Sequence, residues 1–441
     1  MAVKVGMVSL GCSKNQVDAE RLLAMAVKGG YEICADADRC DVVIINTCGF
    51  IEDAKRESIE TILEFCQRKE EGRLKAVVVT GCLAERYREQ VAQEIPEADA
   101  VLGIGKNSDI VAAIEDALHG KKTAAFGEKS GLSLEGERIL ANEPFYAYLK
   151  VAEGCDNRCS YCAIPLIRGG FRSRPMENIL EEAKKLAAMG VTELNVVAQD
   201  TTRYGEDLYG RLALADLLEE LCKIDGVRWV RPLYCYPDRI TDRLLDVMAR
   251  EEKVVKYMDI PIQHVNGRIL QLMNRRGDAD SLRRLMQKIR DRVPGVILRT
   301  TLITGFPTET EAEFEELCEF IKEVKFERLG CFTYSAEEDT PAAEMDGQVD
   351  EEVKRRRADL LMEEQYGIME GFNRSQVGRT LEVAVEGKEG RLWYGRSFMD
   401  APDIDTKVYF TSRQPLKMGE YIHVEISGVQ GYDLKGKAVM E

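Results

Sequence analysis

The stretch Gly154-Cys155-Asp156-Asn157-Arg158-Cys159-Ser160-Tyr161-Cys162 decides how this chain is read. Its cysteines are spaced C-x3-C-x2-C, and it directly follows an apolar strand-like run over residues 146–151. That run opens a strand–helix series, so the motif lies on a loop at the C-terminal end of a barrel strand. Sites in such barrels gather at that face. Thiolates are the usual ligands of iron–sulfur clusters, and close spacing lets one loop wrap a cluster. Three cysteines on a four-iron cube leave one iron open to a small molecule. Structural zinc is the alternative, but it normally takes four ligands, often in paired C-x2-C units. No fourth Cys or His lies nearby.

Downstream, strand-like runs recur at 193–198, 229–233, 255–260, 296–302 and 328–332, with helical stretches at 177–188, 213–223, 242–250, 281–292 and 311–323. Six strand–helix units predict a partial (β/α)6 barrel, and residues 351–373 read as one charged amphipathic helix that bridges onward. Upstream, runs at 3–8, 41–46, 76–80 and 101–103 alternate with helical stretches at 16–28, 52–69, 84–94 and 109–119. This alternation predicts a doubly wound parallel sheet. Residues 121–142 are polar, Gly-rich and weakly periodic. From residue 378 five short runs, at 381–386, 392–397, 407–411, 421–427 and 434–439, predict a small antiparallel β-barrel. The expected fold is therefore α/β with three domains: 1–125, a linker at 126–142, 143–372 and 373–441.

The 441 residues are 45% hydrophobic and 31% charged, ordinary for a soluble globular protein. No apolar stretch nears the roughly 18 residues of a membrane span. The start reads as a strand rather than a signal peptide, so the cytoplasm is expected. A net charge of −16 gives no broad field for nucleic acid and suits a basic partner better.

Thirteen cysteines are many for a reducing compartment, where a disulfide framework is not expected. Cys34, Cys40, Cys66, Cys222 and Cys318 read as small buried apolar residues, as do Cys235 and Cys331 near strand ends. Cys12, Cys48 and Cys82 differ. Each follows a parallel strand of the first domain by a few residues, and in a doubly wound sheet those ends share one ligand-binding edge. Each is flanked by loop-forming or polar residues: Gly11-Cys12-Ser13, Thr47-Cys48-Gly49 and Gly81-Cys82-Leu83. Glycine beside a thiolate lets backbone amides approach cluster sulfurs. Three unconnected buried thiols is the plain alternative.

The central motif resembles that of the radical S-adenosylmethionine (SAM) superfamily. The resemblance implies a cluster on Cys155, Cys159 and Cys162, SAM on its open iron, and a deoxyadenosyl radical that abstracts hydrogen. It also places Tyr161 against the adenine, ordinary packing being the other reading. Gln199, after the second barrel strand, becomes a SAM contact, beside a plain helix-capping role for Asp200. Gly305, in Thr304-Gly305-Phe306-Pro307, becomes a point where backbone approaches SAM. A lone His264 reads as hydrogen-bonded structure.

The whole chain is similar to the methylthiotransferases, which join a second cluster domain, a radical SAM barrel and a C-terminal TRAM domain. Within them it looks like the RimO group. The matching segments are residues 8–18 (VSLGCSKNQVD), 46–51 (NTCGFI), 81–87 (GCLAERY), 162–169 (CAIPLIRG), 172–175 (RSRP) and 400–405 (DAPDID). Ser13 departs from the proline this group often carries. The resemblance implies two 4Fe-4S clusters, the second on Cys12, Cys48 and Cys82, and two SAM-dependent steps. It implies methylthiolation at the β-carbon of an aspartate in the basic small-subunit ribosomal protein twelve, with an electron donor such as flavodoxin or ferredoxin. The alternatives are a transfer-RNA adenosine methylthiotransferase of the MiaB-like or MtaB-like groups, and a non-catalytic RNA- or ribosome-binding factor with a structural metal. Residues 373–441 carry ten Lys/Arg and ten Asp/Glu. An RNA-binding barrel is normally basic, so a neutral one with an acidic turn at Asp400, Asp403 and Asp405 is expected to face a basic protein. A solvated turn without a partner is the plain reading of that segment.

Overall fold

The computed structural model describes residues 2–439, so Met1 and the final two residues of the range 373–441 lie outside it. Strands β1 (Lys4–Ser9), β2 (Glu32–Ile33), β3 (Val42–Thr47), β4 (Ala76–Gly81), β5 (Ala100–Leu102) and β6 (Thr123–Ala125) form one sheet in the order β2-β1-β3-β4-β5-β6. Every pairing is parallel. β3 and β4 are buried along their whole length, the pattern of strands covered on both faces. Val43, Ile45, Val77 and Val79 face one core, and Val42, Ile44, Ala76 and Val78 face the other. The chain order reverses between β1 and β3, which marks the crevice where such sheets bind ligands. The two short edge strands lack their own apolar pattern. β6 lies within the polar stretch 121–142 that reads as connection.

Residues 126–142 are not a loose tether. Arg138 donates to Glu182 (2.6 Å) and to the Tyr148 carbonyl (2.7 Å) and also pairs with Glu20. Glu135 accepts from Arg174. The segment is thereby clamped between helix Ser13–Lys28 and helix Met176–Ala188.

Strand β7 (Tyr146–Lys150) begins the second unit, and β8 (Ala152–Glu153) and β9 (Arg172–Ser173) form a small antiparallel pair beside it. β10 (Glu193–Val197) and β11 (Trp229–Pro232) extend β7 into the sheet β11-β10-β7. β12 (Tyr257–Asp259), β13 (Ile297–Thr304) and β14 (Arg328–Thr333) form a second parallel sheet. A parallel bridge from Val230 to Val254 links the two across the β11–β12 side. The result is a partial barrel. Ala147, Leu149, Leu194 and Val196 point outward into the core shared with the surrounding helices. The alternating positions Tyr146, Tyr148, Glu193 and Arg231 point inward.

Helix Glu351–Ser375 leads to the last unit, made of β15 (Thr380–Glu389), β16 (Leu392–Ser397), β17 (Val408–Thr411), β18 (Tyr421–Gln430) and β19 (Asp433–Ala438). They close as β15-β16-β17-β19-β18. Four of the pairings are antiparallel, but β17 and β19 run parallel, a departure from the purely antiparallel expectation.

The acidic turn corrects the sequence reading. It is not an open acidic surface: the Asp400 and Asp405 side chains are buried, and Asp403, although exposed, is tied to barrel tyrosines. Asp400 is 1% exposed and accepts two bonds from Arg328, at 2.6 and 3.1 Å. Asp403 accepts from Tyr148 (2.9 Å) and Tyr146 (3.2 Å), and Asp405 accepts from Tyr257. These donors sit at the starts of barrel strands, so the turn plugs the lower end of the barrel. Buried charges need partners, and these have them. Among the described residues, no helix is long and apolar enough to cross a membrane.

Candidate functional site

The first-domain cysteines stand on three loops that hydrogen bonds tie together. Cys12 is the N-cap of helix Ser13–Lys28, Cys48 follows β3, and Cys82 opens helix Cys82–Glu94 directly after β4. Buried Asn15 donates to the carbonyls of Leu10 (2.7 Å) and Thr47 (3.1 Å), joining the first loop to the second. The Asn46 side chain returns a bond to the Asn15 carbonyl (2.8 Å). Thr47 donates to the Thr80 carbonyl, joining the second loop to the third. Ser58 brackets Cys48, accepting from its N–H (3.0 Å) and donating to its carbonyl (2.9 Å). Gly11 has φ +88°, and a Cβ there would sit 2.9 Å from the Cys48 sulfur. The loops touch, and only glycine fits between them.

Electrostatics agree that the three sulfurs are neighbours, since Cys12 and Cys82 both act on Cys48 and Cys12 acts on Cys82. Burial pushes Cys48 up to about 12 and also raises Cys82. Burial acts upward on Cys12 too, but Lys14 and Arg168 outweigh it, so this thiol sits below its usual value. Backbone N–H groups of Lys14 and Asn15 point at Cys12, and that of Phe50 at Cys48. Cations and amides around thiols stabilise thiolate ligands. Among the described residues, no three His, Cys, Asp or Glu side chains gather around a single metal ion. Three thiols on three separate loops, ringed by amides, instead suit a multi-iron cube in which each thiolate binds its own iron.

The second triad lies on the loop after β8. The Cys162 N–H donates to the Cys159 carbonyl (3.0 Å), and the Cys155 N–H to the Gly169 carbonyl (3.1 Å). Burial raises Cys155 to about 11 and Cys162 further. Backbone N–H groups of Asn157 and Ile164 face these sulfurs. Asn157 donates to Asp200 (2.9 Å), so Asp200 braces the loop as well as capping its own turn. Arg275, which sequence reasoning passed over, reaches toward Cys159 (3.7 Å) and stacks 4.2 Å from the Tyr236 ring centroid.

Tyr161 packs against the barrel core with its hydroxyl 3.5 Å from Arg275. Gln199 donates to Glu153 (2.8 Å), while its side-chain oxygen is buried with no partner among the described residues. A buried orphan acceptor at the C-terminal end of β10 is what a bound amino group would satisfy. Gly305 has φ +71° and lies under Lys354, whose Cγ would be 2.2 Å from an added Cβ. Its N–H is bonded to Glu309 (3.0 Å). The fold thus demands glycine there for a packing reason independent of any ligand. His264 is buried and accepts from the Asn266 N–H (3.0 Å), a structural role.

The two triads are linked through a buried charged network that spans both units. Lys150 pairs with Asp18 and Glu153, and Arg168 pairs with the same two carboxylates. Asp18 and Asn15 belong to the first-domain helix; Lys150, Glu153 and Arg168 belong to the barrel. Lys14 also reaches across, 3.3 Å from the Tyr234 ring centroid. These cross-links are absent from any local sequence pattern; only the identity of the residues within quoted segments hinted at them.

Three family models match the chain: the uncharacterized protein family UPF0004 over residues 4–103, the radical SAM superfamily over 149–321, and the TRAM domain over 377–439. The chain is 51% identical to the ribosomal protein uS12 methylthiotransferase RimO of Pelotomaculum thermopropionicum over 444 residues, covering 100% of both chains. It is 46% identical to the protein of the same name from Acetivibrio thermocellus, covering 100% of this chain and 99% of that one. Among solved structures it is similar in fold to the radical SAM methyltransferase TsrM of Kitasatospora setae. There the TM-score is 0.55 at 14% identity, over 75% of this chain and 73% of that one.

Proposed function

The chain belongs to the RimO family of ribosomal protein uS12 methylthiotransferases, and from this premise we propose how its own residues serve the reaction. The enzyme is a radical SAM methylthiotransferase that modifies ribosomal protein uS12 and works with SAM and 4Fe-4S clusters. In our reading Cys155, Cys159 and Cys162 hold one cluster and Cys12, Cys48 and Cys82 the other. The target is the β-carbon of an aspartate. When bound, the clusters and SAM supply the hydrogen-abstracting radical and the transferred sulfur.

The protein's part is to hold, orient and shield. The orphan oxygen of Gln199 accepts from the SAM amino group while Glu153 fixes the rest of its amide. Arg275 and Tyr161 wall the Cys159 side. Lys14 against Tyr234 closes the seam between the two units and limits water near a reactive radical. Tyr161 serves as the adenine-side wall, whereas Gly305 serves packing under Lys354. The electron comes from a small carrier such as flavodoxin or ferredoxin, and the setting is the cytoplasm. The neutral C-terminal barrel disfavours transfer RNA as the substrate.

The observation that carries this reading is the pair of thiol triads joined by one buried network, both at strand C-termini. Mass spectrometry of uS12 after co-expression tests it. Wild type adds one methylthio group, and Cys12→Ala adds none. Reconstituted wild type binds about eight iron with matching sulfide. Methylthiolation of RNA alone would overturn the assignment.

A further inference from the structure

We infer that Arg168 is a positioning residue shared by both cluster sites: it tunes the centre held by Cys82 and fixes the spacing between the two thiol triads. This rests on the reading of Cys82 as a cluster ligand. Arg168 ends the short helix Ile164–Arg168, whose second residue is Pro165 and which follows the last barrel cysteine by two residues. Its side chain is 2% exposed. One terminal nitrogen donates to Asp18 (2.5 Å) and to Glu153 (3.3 Å). The other donates to Asn15 (2.9 Å) and to the Cys82 sulfur (3.2 Å).

Two features set this contact apart from ordinary packing. Arg168 and Lys150 already balance Asp18 and Glu153, so neutrality does not require the bond to sulfur. Moreover, the planar guanidinium fixes direction as well as charge, which an ammonium does not. An N–H bond to a cluster thiolate favours the more negative, reduced state and raises the reduction potential. The same residue begins a continuous path to the other triad. Glu153 accepts from Arg168 and from the Gly154 N–H (3.1 Å), immediately before Cys155, and it also holds Gln199. Cys82, Arg168, Glu153 and Cys155 are thus joined through buried bonds. A shift of the first domain over the barrel would have to break them.

The test uses the full-length protein, reconstituted anaerobically, as wild type, Arg168→Gln and Arg168→Lys. Potentiometric titration followed by electron paramagnetic resonance reads each centre. A background lacking Cys155, Cys159 and Cys162 isolates the other signal. In Arg168→Gln the iron content stays at the wild-type level and the potential of the Cys82 centre moves negative. The barrel centre stays where it was. SAM cleavage persists, while methylthio product per SAM cleaved falls at least tenfold. Arg168→Lys keeps the charge, loses the fork and shifts the same potential by less. Should Arg168→Gln fail to fold, Arg168→Lys carries the test by itself: a negative shift confined to the Cys82 centre is expected, and no shift would overturn the inference. Unchanged potentials, or both centres moving together, would overturn the inference. Cys82→Ala tests the underlying reading alone: full iron and an intact signal in that variant would remove Cys82 as a ligand.

Discussion

At the residue scale, the loops that carry Cys12, Cys48 and Cys82 depend on positions where no side chain fits. Gly81 ends β4 directly before Cys82 with φ +96°, and an added Cβ would stand 2.5 Å from both the N and O of Thr47. The obstacle is backbone on the strand that leads to Cys48, so it cannot swing aside. Gly72 also has positive φ, at +75°, but nothing lies within 4 Å of its would-be Cβ. Gly81→Ala is therefore expected to lose about 3 kcal/mol, combining strain and clash, and Gly72→Ala about 1 kcal/mol, strain alone. Urea unfolding of the two variants gives the comparison, and equal losses would contradict it. The sequence flagged Gly81 because it flanks Cys82. It did not reveal that Gly81 is pressed by Thr47, since that contact joins residues 34 positions apart.

At the element scale, helix ends were legible where local chemistry sets them. Helix Asp242–Arg250 begins where the periodicity begins, with Thr241 capping Leu244. Helix Glu311–Val324 starts with a capping box in which Thr310 and Glu313 bond each other's backbone. Burial acts upward on the Glu313 carboxyl, but Arg268 and the Thr310 donors win and hold it at about 2, below its usual 4.5. A depressed carboxyl adds stability above its unfolded value and loses it as pH falls toward the folded one. Glu313→Gln should thus cost about 1–2 kcal/mol at neutral pH and nothing near pH 2. Thermal melts across that window check the sign; a penalty that persists at the acid end would refute it. The edge strands β2 and β6 escaped notice for the opposite reason. With two and three residues they have too little length for a period, and they exist because β1 and β5 offer free edges.

At the scale of the whole molecule, the C-terminal barrel is bolted to the radical SAM barrel by buried ions. Arg328 pairs with Asp400, Arg396 bridges Glu193 and Glu386, and Arg231 donates to the Phe398 carbonyl (2.8 Å). Removing one partner strands the other's charge in a dry interior, which costs more than the pair contributes. Asp400→Asn is expected to destabilise the protein by about 3 kcal/mol. It should also make helix Glu351–Ser375 a site of limited proteolysis that releases the last domain. An unchanged melting temperature and cleavage pattern would show the junction is held by apolar contacts alone.

The sequence by itself determined the three-part layout, the strand–helix alternation and the six cysteines singled out at strand ends, because period, turns and spacing are local properties. The tertiary structure alone decided which side chains those cysteines meet. Arg168 reaches Cys82 across 86 positions. It also decided that Asp400 and Asp405, which read as part of an open acidic surface, carry buried side chains, and that Asp403 at the surface is bonded to barrel tyrosines. A charge's meaning depends on what desolvates and pairs it, and those partners come from strands up to 257 residues away.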